Sequence, residues 1–186
     1  MVSMIAKATR KLGYVLLDAN VIIEAYALGV WNKLLDKIKA AIPATVVQDE
    51  AFYFDKKKSG KRLAIDLNKF IDSGRILEVA ARATELQNLR NIFDDLTLEG
   101  LDPGELEALA LLNSGRLKGA IFCTADKAAI RALALMGHFE SGISMEELLR
   151  ICGLQKPFDL QYGKKFFEEQ LAIGKQNRIA GFGLRK

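Results

Sequence analysis

Short apolar runs alternate with stretches of helical periodicity along most of the chain. Tyr14-Val15-Leu16-Leu17 is an uninterrupted run that stops at Asp18; after Ala19-Asn20, apolar residues recur at Val21, Ile22, Ala25 and Leu28 before Gly29. That pattern predicts a buried strand, an acidic turn and a helix. A second helix is predicted over 30–41, stopping near Pro43. Ala44-Thr45-Val46-Val47 reads as a short buried strand, followed by a helix over 48–54. Residues 56–62 read as an exposed connection or helix end, a further helix leads to Ser73-Gly74, and 76–79 is a strand. A polar helix is predicted over 84–95. Asp102-Pro103-Gly104-Glu105 opens a clear helix to Leu112, buried through Ala108, Leu109, Leu111 and Leu112. Residues 119–123 form the next strand, ending at Thr124-Ala125-Asp126, with a helix from there to Met136. Ser144-Met145-Glu146-Glu147 starts one more by the capping-box rule. Strands alternating with helices predict an α/β fold: a three-layer sandwich with a short parallel central sheet covered by helices on both faces.

Composition narrows the class. The chain has 186 residues, half of them hydrophobic, 27% charged and only three Pro, so it can bury a sizeable core and is not a disordered segment. No apolar run approaches the ~20 residues that span a bilayer. Residues 1–12 lack an apolar signal-peptide core, and the expectation is a cytoplasmic protein with no membrane partner. Cys123 and Cys152 sit in apolar surroundings without CxxC spacing and read as buried, reduced thiols. His138 is the only histidine, which argues against a zinc site and against a Ser/His or Cys/His nucleophile pair; it reads as a surface or half-buried residue.

Charge divides the chain. Its 27 Lys and Arg exceed its 23 Asp and Glu by four. Seven bases and three acids fall from Gln155 onward, so this tail carries the whole surplus and the remainder is neutral. The expected division is a body over 1–153 and a basic, partly helical C-terminal extension over 154–186. Within the extension, Phe166, Phe167 and Leu171 suit an amphipathic helix packing on the body or on a partner.

In open parallel sheets, ligands bind beyond the carboxyl ends of the strands. Asp18 follows the first predicted strand, Glu50 the second, and Asp126 the last strong one; Glu105 lies in the first turn of the helix preceding that strand. Each has an alternative structural role. Glu105 could complete a capping box with Asp102, and Asp18 or the Thr124/Asp126 pair could cap helices. Asn20 reads as the N-cap of its helix with a second role orienting Asp18, Glu50 competes with Asp49, and Glu107 reads as a solvated helix acid. If the four carboxylates converge, their mutual repulsion calls for a cation, and an oxygen-only set suits Mg²⁺ or Mn²⁺.

The order of these segments resembles a PIN domain: Leu16-Leu17-Asp18-Ala19-Asn20-Val21-Ile22, then Val46-Val47-Gln48-Asp49-Glu50, then Gly104-Glu105-Leu106-Glu107-Ala108-Leu109-Ala110-Leu111, then Phe122-Cys123-Thr124-Ala125-Asp126. The resemblance spans about 14–149. It implies a metal-dependent endoribonuclease that hydrolyses phosphodiester bonds of single-stranded RNA through Asp18, Glu50, Glu105 and Asp126, which hold Mg²⁺ or Mn²⁺, with Asn20 and Thr124 as supporting polar residues. The partners it implies are RNA, a homodimer mate and, for a toxin-type nuclease, an antitoxin inhibitor. Many related sequences carry two adjacent acids at the last site; Ala125 stands at the first of those positions here, which could weaken a second metal.

Bases must offset an acidic pocket before RNA can approach. Lys56, Lys57, Lys58, Lys61 and Arg62 are the candidates, with the seven bases of the tail in addition, as phosphate contacts without sequence choice. The alternative for the lysine run is a solvated face. The rival phosphatase of haloacid-dehalogenase type needs a second acid two residues after Asp18, where Asn20 stands. A receiver domain fails for want of a convincing acid pair before its phosphoacceptor. The non-enzymatic alternative is a PIN-like RNA-binding or assembly module with little activity.

Overall fold

Strand β1 (Tyr14–Leu17) is the middle of a five-stranded sheet in which every neighbouring pair is parallel. The computed structural model describes residues 13–50, 53–55 and 60–186, with the backbone alone at Glu50. From β1 the chain runs through α1 (Ala19–Ala27) and α2 (Trp31–Leu35) to β2 (Lys39–Pro43) and a π-helical turn (Val46–Glu50). A small antiparallel pair follows, β3 (Tyr53–Asp55) with β4 (Arg62–Ala64), then α3 (Asn68–Asp72) and β5 (Ile76–Val79). Next come α4 (Ala83–Arg90), α5 (Asp95–Glu99), α6 (Pro103–Ser114), β6 (Ile121–Cys123), α7 (Lys127–Leu135), β7 (Gly142–Ile143) and α8 (Met145–Ile151). A 3₁₀ turn (Leu160–Tyr162) leads into the 17-residue α9 (Lys164–Ala180).

The period-2 alternation of the strands sorts the core into two layers. Val15, Leu17, Ala40, Ile42 and Cys123 face α1, α2, α3 and α8. Leu16, Ala41 and Phe122 face the other way, toward α4, α6, α7 and α9. A parallel sheet buried on both faces is therefore shown, in agreement with the α/β expectation.

Sheet order is β5-β2-β1-β6-β7. The chain steps outward from β1 to β2 and β5, then crosses back to lay β6 and β7 on the other side. The reversal falls between β1 and β6, where Leu17 pairs with Cys123. In a sheet of this kind, a crevice opens at the carboxyl ends of the strands on either side of that reversal.

The second strand differs from the sequence expectation. The helix predicted over 30–41 ends at Leu35, and Lys39–Pro43 is strand. Ala44-Thr45-Val46-Val47 is not a strand but the start of helical turns ending at Glu50. The helix predicted over 48–54 is likewise replaced, from Tyr53 on, by the hairpin strand β3. Ala40, Ala41 and Ile42 are buried between β1 and β5, and sheet pairing on both sides outweighs the helical preference of alanine.

The C-terminal segment packs on the body. Its helix α9 lies against α7 at Gly174, where a Cβ would stand 2.6 Å from the Arg131 carbonyl oxygen, so only glycine permits this approach. Phe167 fills the second core layer beneath it. Arg178 donates to the Leu135 carbonyl at the end of α7, where a cation suits the helix dipole. Beyond α9, Asp94 N–H donates to Gly183 O (3.1 Å) and Arg185 N–H to Ile92 O (2.9 Å), tying the last residues to the α4–α5 connection. Among the described residues, no helix is long and apolar enough to cross a membrane.

Candidate functional site

The end of β1 is fixed to β6 before any side chain acts: Asp18 N–H donates to the Cys123 carbonyl (3.2 Å). Asp18 and Thr124 therefore leave neighbouring strands side by side. Both are buried, and the Thr124 hydroxyl donates to Asp18 Oδ2 at 2.9 Å. The same hydroxyl oxygen accepts the Asp126 N–H at 3.1 Å. Thr124 thus links Asp18, at the end of β1, to the backbone of Asp126 beyond β6.

Asp126 is the N-cap of α7, its Oδ1 accepting from Ala128 N–H (2.6 Å) and Ala129 N–H (3.1 Å). Asp18, not Asn20, occupies the N-cap position of α1, and its side chain makes no capping bond. Asn20 lies inside the first turn and is exposed, so its expected capping role is corrected. A residue cannot cap a helix whose hydrogen bonding already starts before it. The Asn20 carbonyl instead lies 3.5 Å from the Tyr162 hydroxyl.

Glu105 takes the capping role expected of it and is buried as well. It is N3 of α6, its Oε2 accepting Asp102 N–H at 3.0 Å in a capping box. It is also only 3% exposed. Burial, then the charge of Asp18, then that of Asp126, push its carboxyl up to about 9, against the lowering effect of the Asp102 N–H. Glu105 thus feels the charges of both Asp18 and Asp126, and one oxygen of each of the three acids accepts a local hydrogen bond. Among the described residues, no three His, Cys, Asp or Glu side chains are gathered closely enough to hold a metal ion. The Glu50 side chain lies outside the described residues; its backbone ends the π-helical turn after β2, rather than the first turn of a helix directly behind a strand.

No family model, curated protein or solved structure matches this chain.

Sequence reasoning passed over three buried acids, one of them Glu85 in the first turn of α4, whose Oε2 accepts Arg82 N–H (2.7 Å) and pairs with Arg116 (3.1 Å). Glu24 is buried on α1. Glu107, expected to be solvated, is 6% exposed and accepts Thr45 N–H through Oε2 and Ala81 N–H through Oε1, both at 2.8 Å. It clamps the segments leaving β2 and β5, one of which carries Glu50. A signal existed: beyond Glu105 and Glu107, α6 is apolar nearly all round down to Leu112, and such a helix has no solvent face to give an acid. Glu107→Gln is expected to lower unfolding free energy by about 1–3 kcal/mol, because one buried N–H then faces an amide NH₂. A denaturant midpoint equal to that of the parent would show the clamp to be idle.

The remaining candidates lie elsewhere. Lys61 and Arg62 are exposed on the β3–β4 hairpin, while Lys56, Lys57 and Lys58 lie outside the described residues. His138 is half-buried, at the end of α7 remote from Asp126, and burial lowers its pKa. Cys123 and Cys152 are free and buried, as expected, and burial raises both thiols. In the tail, Lys164 pairs with Glu147 (3.7 Å) and Glu168 (3.6 Å), Arg185 with Asp95 (2.6 Å), and Lys175 lies over the Phe139 ring (4.8 Å). Such exposed pairs add little to stability.

Proposed function

We propose that this chain is a divalent-metal-dependent endoribonuclease with a PIN-like fold, acting on single-stranded RNA. The observation that carries the reading is the gathering of acids at the reversal of strand order: Thr124 ties the buried Asp18 to the Asp126 backbone, and Glu105 is buried close enough for both charges to raise its carboxyl.

The donor chemistry fits Mg²⁺ or Mn²⁺, since every candidate ligand is a carboxylate oxygen. Asp18 and Asp126 are the proposed direct ligands, with Glu105 and Glu50 completing the set or accepting a proton. An ion bound there supplies positive charge to the scissile phosphate and lowers the pKa of water. The chain's own contribution is orientation. Thr124 holds Asp18 through its hydroxyl and the Asp126 backbone through its oxygen, and the α7 N-terminus fixes the Asp126 carboxylate. Burial of Asp18 places its carboxylate in a low-dielectric wall, where a charge acts more strongly on an ion than it would in water, while Glu105 beside it holds its proton until a cation offsets the neighbouring charge.

A second reading, an RNA-binding or assembly module with little activity, is favoured by Ala125, a buried alanine where many related sequences carry a further acid. Incubating the full chain with unstructured RNA in Mn²⁺ or Mg²⁺ separates the two. Cleavage that stops with chelator is expected; RNA bound but intact under every metal condition would favour the binding module.

A further inference from the structure

Each strand of the β3–β4 hairpin is exposed, half-buried, exposed along its three residues. Antiparallel register pairs Tyr53 with Ala64, Phe54 with Leu63 and Asp55 with Arg62. One face, Phe54 and Leu63, is therefore turned inward. Phe54 seats the hairpin on α1 by contact with the Tyr26 ring, 5.4 Å between centroids, and Tyr26 in turn stacks on Trp31 at 5.0 Å. The other face carries Tyr53, Asp55, Arg62 and Ala64 outward.

That outward face holds a cation–π pair. Tyr53 is 53% exposed although it takes no part in the seat, and the Arg62 guanidinium lies over its ring, 5.3 Å from the centroid. A cross-strand cation–π pair would by itself stabilise the hairpin by only about 0.5–1 kcal/mol. An exposed ring with a planar cation against it is also what a single nucleic-acid strand uses: the ring stacks a base, the guanidinium stacks or meets phosphate, and neither reads sequence. Exposed Lys61 adds positive charge beside Arg62, giving this edge the sign a polyanion requires. Asp55, on the same face as Tyr53, disfavours a phosphate there and leaves the base as the group that can approach the ring. The hairpin touches the end of α1, and the helix starts at Asp18, so its seat lies about 12 Å along one rigid helix from the acidic crevice.

We propose that the outward face of the β3–β4 hairpin is a stacking platform for single-stranded nucleic acid, with Tyr53 taking a base and Arg62 and Lys61 taking the strand's charge. It rests on nucleic acid being the ligand, as in the nuclease reading, but requires no cleavage.

The test is binding of the full chain in chelator, so that cutting plays no part, to oligouridine, the matching oligodeoxythymidine, and a strand of equal length made of abasic residues. Base-bearing strands are expected to bind about tenfold tighter than the abasic strand. Tyr53→Ala should remove that preference and Tyr53→Phe should keep it. Arg62→Ala should weaken all strands and flatten the salt dependence. Equal binding of base-bearing and abasic strands by the parent, or a Tyr53→Ala variant that retains the preference, overturns the platform. If Tyr53→Ala instead changes self-association with no effect on strand affinity, the face belongs to a second copy and the platform is overturned. Tighter binding of RNA than DNA assigns the natural strand as RNA, and the reverse assigns DNA; both support the platform. The two readings fail separately: a Tyr53-dependent preference without cleavage in Mn²⁺ sinks the nuclease and keeps the platform, and cleavage without the preference does the opposite.

Discussion

Asp126→Asn is expected to reduce metal-dependent RNA cleavage by more than about a hundredfold, since even outer-shell partners of a metal are worth 10–100-fold. The melting temperature should stay within about 2 °C of the parent, the shift that about 0.5–1 kcal/mol produces at this size. The fold should tolerate the change because asparagine caps helices as well as aspartate does. The Asn carbonyl oxygen can accept the Ala128 and Ala129 N–H groups that Asp126 Oδ1 accepts now. What is lost is a formal charge beside Glu105 and one anionic donor. Asp126→Ala makes the contrast: it removes the charge and the cap together and should cost about 1 kcal/mol as well as activity. RNA cleavage by Asp126→Asn at the parent rate would remove Asp126 from the active site, however well the protein folds.

The site residues differ in how far the sequence exposes them. Asp18 and Asp126 are legible because each follows an apolar strand within a few residues, and in a parallel sheet that position faces the crevice. Thr124 is legible for the same reason. Glu105 is ambiguous from sequence because a capping box and a site role call for the same residue at the same position; the structure shows the capping box and a buried carboxyl raised by Asp18 and Asp126, and the site role remains part of the proposal. Glu50 is the hardest. The β-branched pair Val46-Val47 resembles a strand locally, whereas the true strand is Lys39–Pro43, two of whose residues are alanines. Only pairing with β1 and β5 makes a strand of that segment, and such pairing is not a local property. The hairpin is hidden for a related reason: three residues per strand give too short an alternation to register as a period.

The two acids of α6 show why helix-face reasoning misjudged Glu107. Glu105 and Glu107 are two residues apart, roughly 200° around the helix, so burying one suggests exposing the other. That inference requires the helix to have a solvent side at this turn. In α6 it has none, because Gly104, Glu105 and every residue from Glu107 to Leu112 are buried. Each acid therefore acts inward, in its own direction. Glu105 turns toward Asp102 and the crevice, and Glu107 toward the segments leaving β2 and β5. The same helix thus carries one proposed ligand and holds, through Thr45, the turn that bears another.

Glu105 also makes the stability of the metal-free protein depend on pH in an unusual direction. Its folded carboxyl is pushed up to about 9, against 4.5 for the ordinary group. Below the ordinary value both folded and unfolded chains hold the proton and the group is neutral in its effect on folding. Between the two values the unfolded chain releases the proton while the folded chain keeps it, so unfolding is favoured progressively as pH rises. For one proton the loss approaches about 1.4 kcal/mol per pH unit, ending once the pH passes the folded value. In chelator, the parent should therefore melt at lower temperature at pH 8 than at pH 6, and Glu105→Gln should remove most of that difference. The glutamine oxygen can still accept the Asp102 N–H, so the capping bond survives the substitution. In the proposed site a divalent ion would bind the ionised carboxylates, so saturating Mn²⁺ should restore parent stability at pH 8, by about 2.7 kcal/mol at a hundred times its dissociation constant. The same addition should raise Glu105→Gln much less. Parallel melting curves for parent and variant across this pH range, together with an equal response to Mn²⁺, would mean that the crevice neither strains Glu105 nor recruits a cation through it.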